Sequence, residues 1–418
     1  MGTGLMTDRY ELTMLSAFLT DGSADRPAVF ECFSRRLPTG RRYGVVAGLG
    51  RLLEDLEEFR FDAGELDYLV GSDTITAQCA DYLAAFDLRG VDVDAYREGE
   101  LYFPGSPVLT VSGTLGQGVV LETLVLSVLN HDSAVASAAA RMSVAAGGRP
   151  LVEMGSRRTH EQAAIAAARA AYLAGFTSTS NLAAGRRYGI PTVGTAAHAF
   201  TMAYATEQAA FASQVAAHGT GTTLLVDTYD IEQGIRNAIE VAGTGLAAVR
   251  IDSGDLDKEA RKARALLDSL GASQTRILAT SDLDEFVITA LGDAPVDSFG
   301  VGTRVVTGSG HATAEFVYKL VEIDGRPVAK ASEGKVSHGG RKHASRELAD
   351  GLAIREVLST KGNGPGRPLQ VRVVRDGSVV HRPSLEEIRT HHLAARSELS
   401  GEALAMSDGP PALEGVLS

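Results

Sequence analysis

Tryptophan is absent from the 418 residues, cysteine occurs only twice, and no lysine precedes Lys258. Two thiols, Cys32 and Cys79, allow no disulfide framework and no four-cysteine metal site, so both are read as inert core residues. No apolar run is long enough to span a bilayer, since the best candidate, Val119 to Leu129, is interrupted by Glu122. The N-terminus places Asp8, Arg9 and Glu11 where a signal peptide needs its apolar stretch, and Met6 where a myristoylation signal needs Ser or Thr. These absences predict a soluble, cytoplasmic protein. A glycine-rich loop ending in GKS or GKT is also missing, which excludes a P-loop ATPase.

Apolar residues make up 44% of the chain and charged residues 22%, the balance of an ordinary globular protein. The length exceeds what one core usually supports, so two domains are expected. With 40 basic against 52 acidic residues the formal charge is -12, which repels nucleic acid and predicts that an anionic substrate would need a local arginine pocket. Arginine suits that task because its planar fork matches carboxylate and phosphate.

From Leu151 onward a short apolar run, a polar tip and an alanine-rich stretch recur. Candidate strands are LVEMG (Leu151 to Gly155), GFTST (Gly175 to Thr179), PTVGTA (Pro191 to Ala196), TTLLVDT (Thr222 to Thr228), LAAVRID (Leu246 to Asp252), RILATS (Arg276 to Ser281) and VDSFGVG (Val296 to Gly302). Alternating with stretches of helical propensity, such as THEQAAIAAARAAYLAG and TMAYATEQAAFASQVAAH, they predict an α/β fold: an irregular parallel β/α barrel over residues 131–310. Its active site would gather at the C-terminal strand ends. Residues 1–130 and 311–418 read instead as a second, discontinuous α+β domain. The segment FVYKLVEIDGRPVAKAS carries a turn signal between two alternating runs and is read as a hairpin of that domain. The chain from about Ser384 reads as helix, and the final SDGPPALEGVLS as a poorly ordered tail.

If the barrel forms, its tips bring together Arg157, Ser180, Thr195, His198, Asp227, Arg250, Asp252, Asp255, Gly302 and Thr303. In VRIDSGDL, alternation puts Arg250 and Asp252 on one face of a strand. Asp252 and Asp255 could hold ribose hydroxyls and favour positive charge on an anomeric carbon, while Ser253 and Asp255 could equally cap a following helix. SFGVGTRVVT falls where barrels often hold phosphate, although a plain tight turn fits the same letters. His198 is either a capping residue or a catalyst at the lip of a site. GTGLAA (Gly243 to Ala248) imitates a dinucleotide fingerprint but precedes a strand instead of following one. THEQAA lacks the second histidine of a zinc helix. Schiff-base chemistry is disfavoured because the barrel lysines, Lys258 and Lys262, share a helical stretch.

Seven motifs in order resemble the nicotinate phosphoribosyltransferases of the type II phosphoribosyltransferase fold: LMTDRYELTM (Leu5 to Met14), EMGSRRTH (Glu153 to His160), STSNLAAGRRYGIPTVGTAAHAF (Ser178 to Phe200), LLVDTYD (Leu224 to Asp230), VRIDSGDL (Val249 to Leu256), FGVGTRVVT (Phe299 to Thr307) and VYKLVEIDGRPVAKASEGK (Val317 to Lys335). The resemblance implies ATP as co-substrate and His198 as the histidine it phosphorylates, with Tyr10, Thr195 and Arg250 lining a nicotinate pocket. It implies that Arg157, Asp227, Asp252, Gly302 and Thr303 hold the phosphoribosyl group and its diphosphate, with Mg²⁺ carried by substrate phosphates. It further implies a homodimer in which Tyr10 reaches the other copy's site. Ser180 stands where nicotinamide-using relatives carry an aspartate, which suits a carboxylate substrate. The chain departs from the family pattern after Lys335, where VSHGGRKH lacks the usual proline before its glycine. The rival on the same scaffold is a nicotinamide or quinolinate phosphoribosyltransferase. From other classes, a non-catalytic nucleotide-binding relative is opposed by the intact His198, Arg250 and Asp252. A metal-dependent barrel hydrolase is opposed by the absence of H-x-H spacing among His131, His160, His198 and His218.

Overall fold

Six short strands run in one direction between Leu151 and Val301: β1 Leu151–Glu153, β2 Ser178–Thr179, β3 Thr223–Leu225, β4 Ala248–Ile251, β5 Arg276–Ala279 and β6 Ser298–Val301. Every neighbouring pair is parallel, in the order β2-β1-β6-β5-β4-β3, and the sheet curls into a half-barrel. Successive parallel strands need crossover connections, and helices at Glu161–Leu173, Glu207–His218, Ile231–Ala242 and Leu256–Ser269, the first two rich in alanine, supply them. Thr206, Asp230 and Asp255 open three of these helices by accepting a backbone N–H three residues on. The strands are buried through Leu224, Val249, Ile251, Ile277, Phe299 and Val301, as expected of a sheet covered by helices. This computed structural model describes residues 3–330 and 338–418.

Two expectations change in detail. Pro191 to Ala196 forms no strand, only a bridge between Thr192 and Thr179, because Pro191 has no N–H to extend a ladder. The helical stretch after His198 is two helices, His198–Met202 and Glu207–His218, divided where the Thr206 hydroxyl caps the second at Ala209 N (3.2 Å).

The chain divides into two compact units, 138–310, which holds this sheet, and 1–137 with 311–418. In the second unit Phe316–Ile323 pairs antiparallel with Pro27–Ser34, with Glu31 opposite Lys319, inside a seven-stranded sheet. The hairpin after it turns through Asp324 and Gly325, both at positive φ (50° and 71°), the backbone that a two-residue Asp-Gly turn favours. The C-terminal stretch differs from the expected loose tail: Gly415–Leu417 pairs parallel with Leu352–Ser359, Ala412 N donates to Arg42 O (2.7 Å), and Leu413 is buried. Cys32 and Cys79 are buried free thiols, and burial pushes the Cys32 thiol far up. Lys335 lies outside the described residues, and Arg341 is paired with Asp94. Among the described residues no helix is long and apolar enough to cross a membrane.

This unit also buries charge. Arg346 is fully enclosed between Glu100 (2.6 Å) and Glu356 (2.9 Å), and Glu100 is met again by Arg367 (2.7 Å) and His391 Nε2 (3.1 Å). Burial opposes ionisation of Glu100, yet His391, Arg346 and Arg367 together hold its carboxyl well below the usual range. The adjacent His392 is fully buried with Nδ1 3.0 Å from Gly99 O, and burial lowers its pKa from 6.5 to about 4. Because the folded ring stays neutral while the unfolded one takes a proton, stability is intact above pH 6.5 and falls as the pH drops towards 4, by about 3 kcal/mol for this group. Urea midpoints compared near neutrality and at mildly acidic pH should therefore differ less in His392→Gln than in the wild type. Equal losses in both proteins would remove His392 from the account.

Candidate active site

Strand β4 carries Arg250 and is followed at once by Asp252, two residues further on and so on the same face. The parallel register places Leu278 of β5 opposite Arg250, which brings Thr280 opposite Asp252. Arg250 Nη2 lies 3.0 Å from Asp252 Oδ1, its Nε donates to Thr280 Oγ1 (2.9 Å), and Nη1 donates to Thr195 Oγ1 (2.9 Å) and Ala196 O (3.4 Å). The cation thus spans from β4 to the loop that leads into His198. Thr280 Oγ1 donates in turn to Asp252 Oδ1.

His198 is the first residue of its helix, with Nδ1 3.2 Å from Thr228 Oγ1 and Nε2 3.8 Å from Asp252 Oδ2, the latter an ion-pair distance beyond hydrogen bonding. Its side chain is 40% exposed, so one ring nitrogen remains open to a ligand. Asp227, just past β3, accepts from Asp252 N (2.9 Å) and Ser253 Oγ (2.6 Å) through Oδ2. Its Oδ1 is buried and has no hydrogen-bond partner among the described residues.

A cavity of about 400 Å³ is lined by Met154, Arg157, Ser180, Thr195, His198, Arg250 and Asp252, among others. Arg157 is exposed on the short turn Ser156–Arg158 after β1, and Ser180 follows β2 with its N–H on Glu153 O (2.8 Å). Asp227 adjoins this group and, with Ser253, also lines a second cavity of about 640 Å³ bounded by Tyr229, Ile235 and Leu266. Gly302 and Thr303 begin the helix Thr303–Val306 after β6 and do not line the 400 Å³ cavity. Asp255 also stays outside it: the residue is exposed and caps the helix Leu256–Ser269 at Lys258 N (3.3 Å). Tyr10 belongs to the other unit, exposed on the helix Arg9–Thr20 with Glu122 beside its hydroxyl.

Residues that sequence reasoning passed over hold this arrangement. Glu153, buried at the end of β1, accepts from Gly155 N (2.5 Å) and Thr179 Oγ1 (2.5 Å), fastening β1 to β2. Burial raises its pKa against those two hydrogen bonds. Asn181 caps the next helix at Ala184 N (2.8 Å) and reaches Ser156 Oγ (3.0 Å), which ties the Arg157 turn to the Ser180 loop. A carboxylate inside the apolar run LVEMG was a visible signal for Glu153. Thr280 required the register between β4 and β5.

A curled parallel sheet that assembles arginine, histidine and carboxylate at its C-terminal strand ends defines a barrel enzyme for an anionic small molecule. Residues 5–130 match the family model of the nicotinate phosphoribosyltransferase N-terminal domain, and residues 150–356 that of the nicotinate phosphoribosyltransferase family. The chain belongs to the nicotinate phosphoribosyltransferase family. It is 57% identical over 424 residues to nicotinate phosphoribosyltransferase pncB1 of Mycobacterium tuberculosis strain H37Rv, covering 98% of this chain and 94% of that one. Nicotinate phosphoribosyltransferase of Bacillus subtilis is 38% identical over 359 residues, covering 82% of this chain and 72% of its own. The crystal structure of human nicotinic acid phosphoribosyltransferase superposes with a TM-score of 0.85 at 27% identity, over 99% of this chain and 97% of the human one.

Proposed function

We propose that the protein is an ATP-assisted nicotinate phosphoribosyltransferase of NAD salvage, working in the cytoplasm as a homodimer. Nicotinate, phosphoribosyl pyrophosphate, ATP and water give nicotinate mononucleotide, diphosphate, ADP and phosphate. The observation that carries this reading is that Arg157, His198, Arg250 and Asp252 share one cavity in a chain of this family. We assign 131–310 as the catalytic barrel domain and 1–130 with 311–418 as its α+β companion.

Arg250, Thr195 and Ser180 are assigned to the pyridine carboxylate, joined by Tyr10 of the other copy. Arg157, with the Gly302–Thr303 turn, is assigned to the phosphates, and Asp252 with Asp255 to the ribose hydroxyls. The bond from the anomeric carbon to diphosphate breaks, its electron pair leaving with the diphosphate, and the pyridine nitrogen lone pair forms the new C–N bond. The carboxylates of Asp227 and Asp252 favour the positive charge on the sugar in between. Mg²⁺ carried on the diphosphate would supply charge neutralisation to the leaving group, and Asp227, whose Oδ1 has no hydrogen-bond partner among the described residues, would hold it with few other protein ligands. Separately, a His198 ring nitrogen attacks the γ-phosphorus of ATP and ADP departs. Water later cleaves the phosphohistidine, and that cleavage is coupled to substrate affinity.

The deciding experiment measures nicotinate mononucleotide formation with and without ATP. Turnover is expected with nicotinate and to rise with ATP. Robust turnover of nicotinamide but not nicotinate would reverse the substrate assignment, and indifference to ATP would remove the phosphohistidine.

A further inference from the structure

Thr280 contacts both charged groups at the end of β4 although it follows another strand. It is 3% exposed, one residue beyond β5. A hydroxyl has one proton and two lone pairs, whereas Arg250 Nε–H can only donate. The 2.9 Å contact from Nε therefore uses a lone pair of Thr280 Oγ1 and leaves its proton for an acceptor. Asp252 Oδ1 is the near acceptor, with Ile251 O farther away at 3.5 Å. Arg250 Nη2 closes the ring on the same carboxylate oxygen at 3.0 Å.

The two oxygens of Asp252 are thereby made different. Oδ1 is held from inside by threonine and arginine, and Oδ2 is turned towards His198 Nε2 at 3.8 Å. Arg250 is fixed along the opposite edge as well, since its Nη1 is spent on Thr195 and Ala196. The threonine itself is wedged. A Cβ at Gly300 on β6 would come within 2.6 Å of the Thr280 methyl and 2.8 Å of Met154 Sδ, so the glycine makes room for this rotamer. β-Branching limits the alternatives.

We infer that Thr280 is a positioning residue: its hydroxyl reserves Oδ1 of Asp252 for the scaffold, presents Oδ2 to the reacting groups and sets the plane of Arg250. The inference deepens the proposed function and rests on it for its kinetic consequence. Thr280→Val keeps the shape and removes the hydroxyl, Thr280→Ser keeps the hydroxyl, and Gly300→Ala crowds the methyl.

Nitrogen-15 NMR of the arginine Nε–H groups follows Arg250 directly, without turnover. In Thr280→Val the Nε–H loses its acceptor on Thr280 Oγ1, so its proton signal is expected to move upfield and to exchange faster with water, and to return in Thr280→Ser. The other groups around Asp252 are Arg250 of its own strand, Asp227 after β3, His198 at the start of the helix His198–Met202, and Arg157, which lines the same cavity. All four are unchanged in these variants. With nicotinate as substrate, Thr280→Val is expected to lower kcat/KM by about 10- to 100-fold, the worth of one charge-assisted hydrogen bond, with Thr280→Ser within about 3-fold of wild type and Gly300→Ala in between. Folding is checked by thermal melting.

An unmoved Arg250 Nε–H signal in folded Thr280→Val would overturn the inference, as would a Thr280→Ser variant as impaired as the valine. A wild type that fails to turn over nicotinate would sink the functional assignment alone, because the arginine signal is read without turnover.

Discussion

His198→Ala is expected to eliminate nicotinate-stimulated ATP hydrolysis, a loss on the order of 10³-fold or more, while phosphoribosyl transfer without ATP stays measurable. The ring is oriented through Nδ1 by Thr228, and its Nε2 side faces Asp252 and the cavity. Alanine offers no nitrogen for the γ-phosphoryl group, and no second histidine lines the cavity among the described residues. The side chain is partly exposed, so its removal leaves no large void in the fold. Phosphate release measured with and without nicotinate separates the two activities. Undiminished hydrolysis in the alanine variant would end the assignment of His198.

Arg250→Ala should reduce kcat/KM for nicotinate by about 10³-fold. Truncation strands Asp252 and Thr280 and frees the Thr195 loop, and cutting one partner from a partly buried hydrogen-bonded charge pair costs about 2–5 kcal/mol, with 1.4 kcal/mol per factor of ten. Arg250→Lys should recover little, because one ammonium cannot reproduce the four contacts of the planar fork. The same measurement with nicotinamide, which has no carboxylate, should show a smaller loss. If both pyridines suffer equally, Arg250 acts on the scaffold and not on the substrate's charge.

What could be read from the residues follows how local each signal is. The β/α repeat was legible because short apolar runs bounded by polar tips are written in consecutive letters, and the Asp324-Gly325 hairpin because its turn chemistry is local. Pro191 to Ala196 looked like a strand by composition, but a strand's length depends on which N–H groups its neighbour can use, and the proline supplies none. Asp255 offered a cap and a ligand in the same letters, and the helix Leu256–Ser269 takes it as a cap. Thr280 was invisible for a different reason: its partners are 28 and 30 residues away, and only the strand register brings them together. Arg250 and Asp252 needed no register, since two-residue alternation along one strand already joins them.

The C-terminal stretch was misread because Gly, Pro and Ser speak for local disorder while its partner strand lies some distance back in the chain. That pairing has a practical side. Gly415–Leu417 covers the outer rim of Leu352–Ser359, with Val416 and Leu417 themselves 43% and 47% exposed. A protease that nicks the linker around Asp408 would peel this cover away and bare a row of unpaired backbone groups beside apolar side chains. Trimmed molecules would then stick to one another rim to rim, so loss of solubility during storage would trace to clipping at this end and not to damage at the catalytic strands.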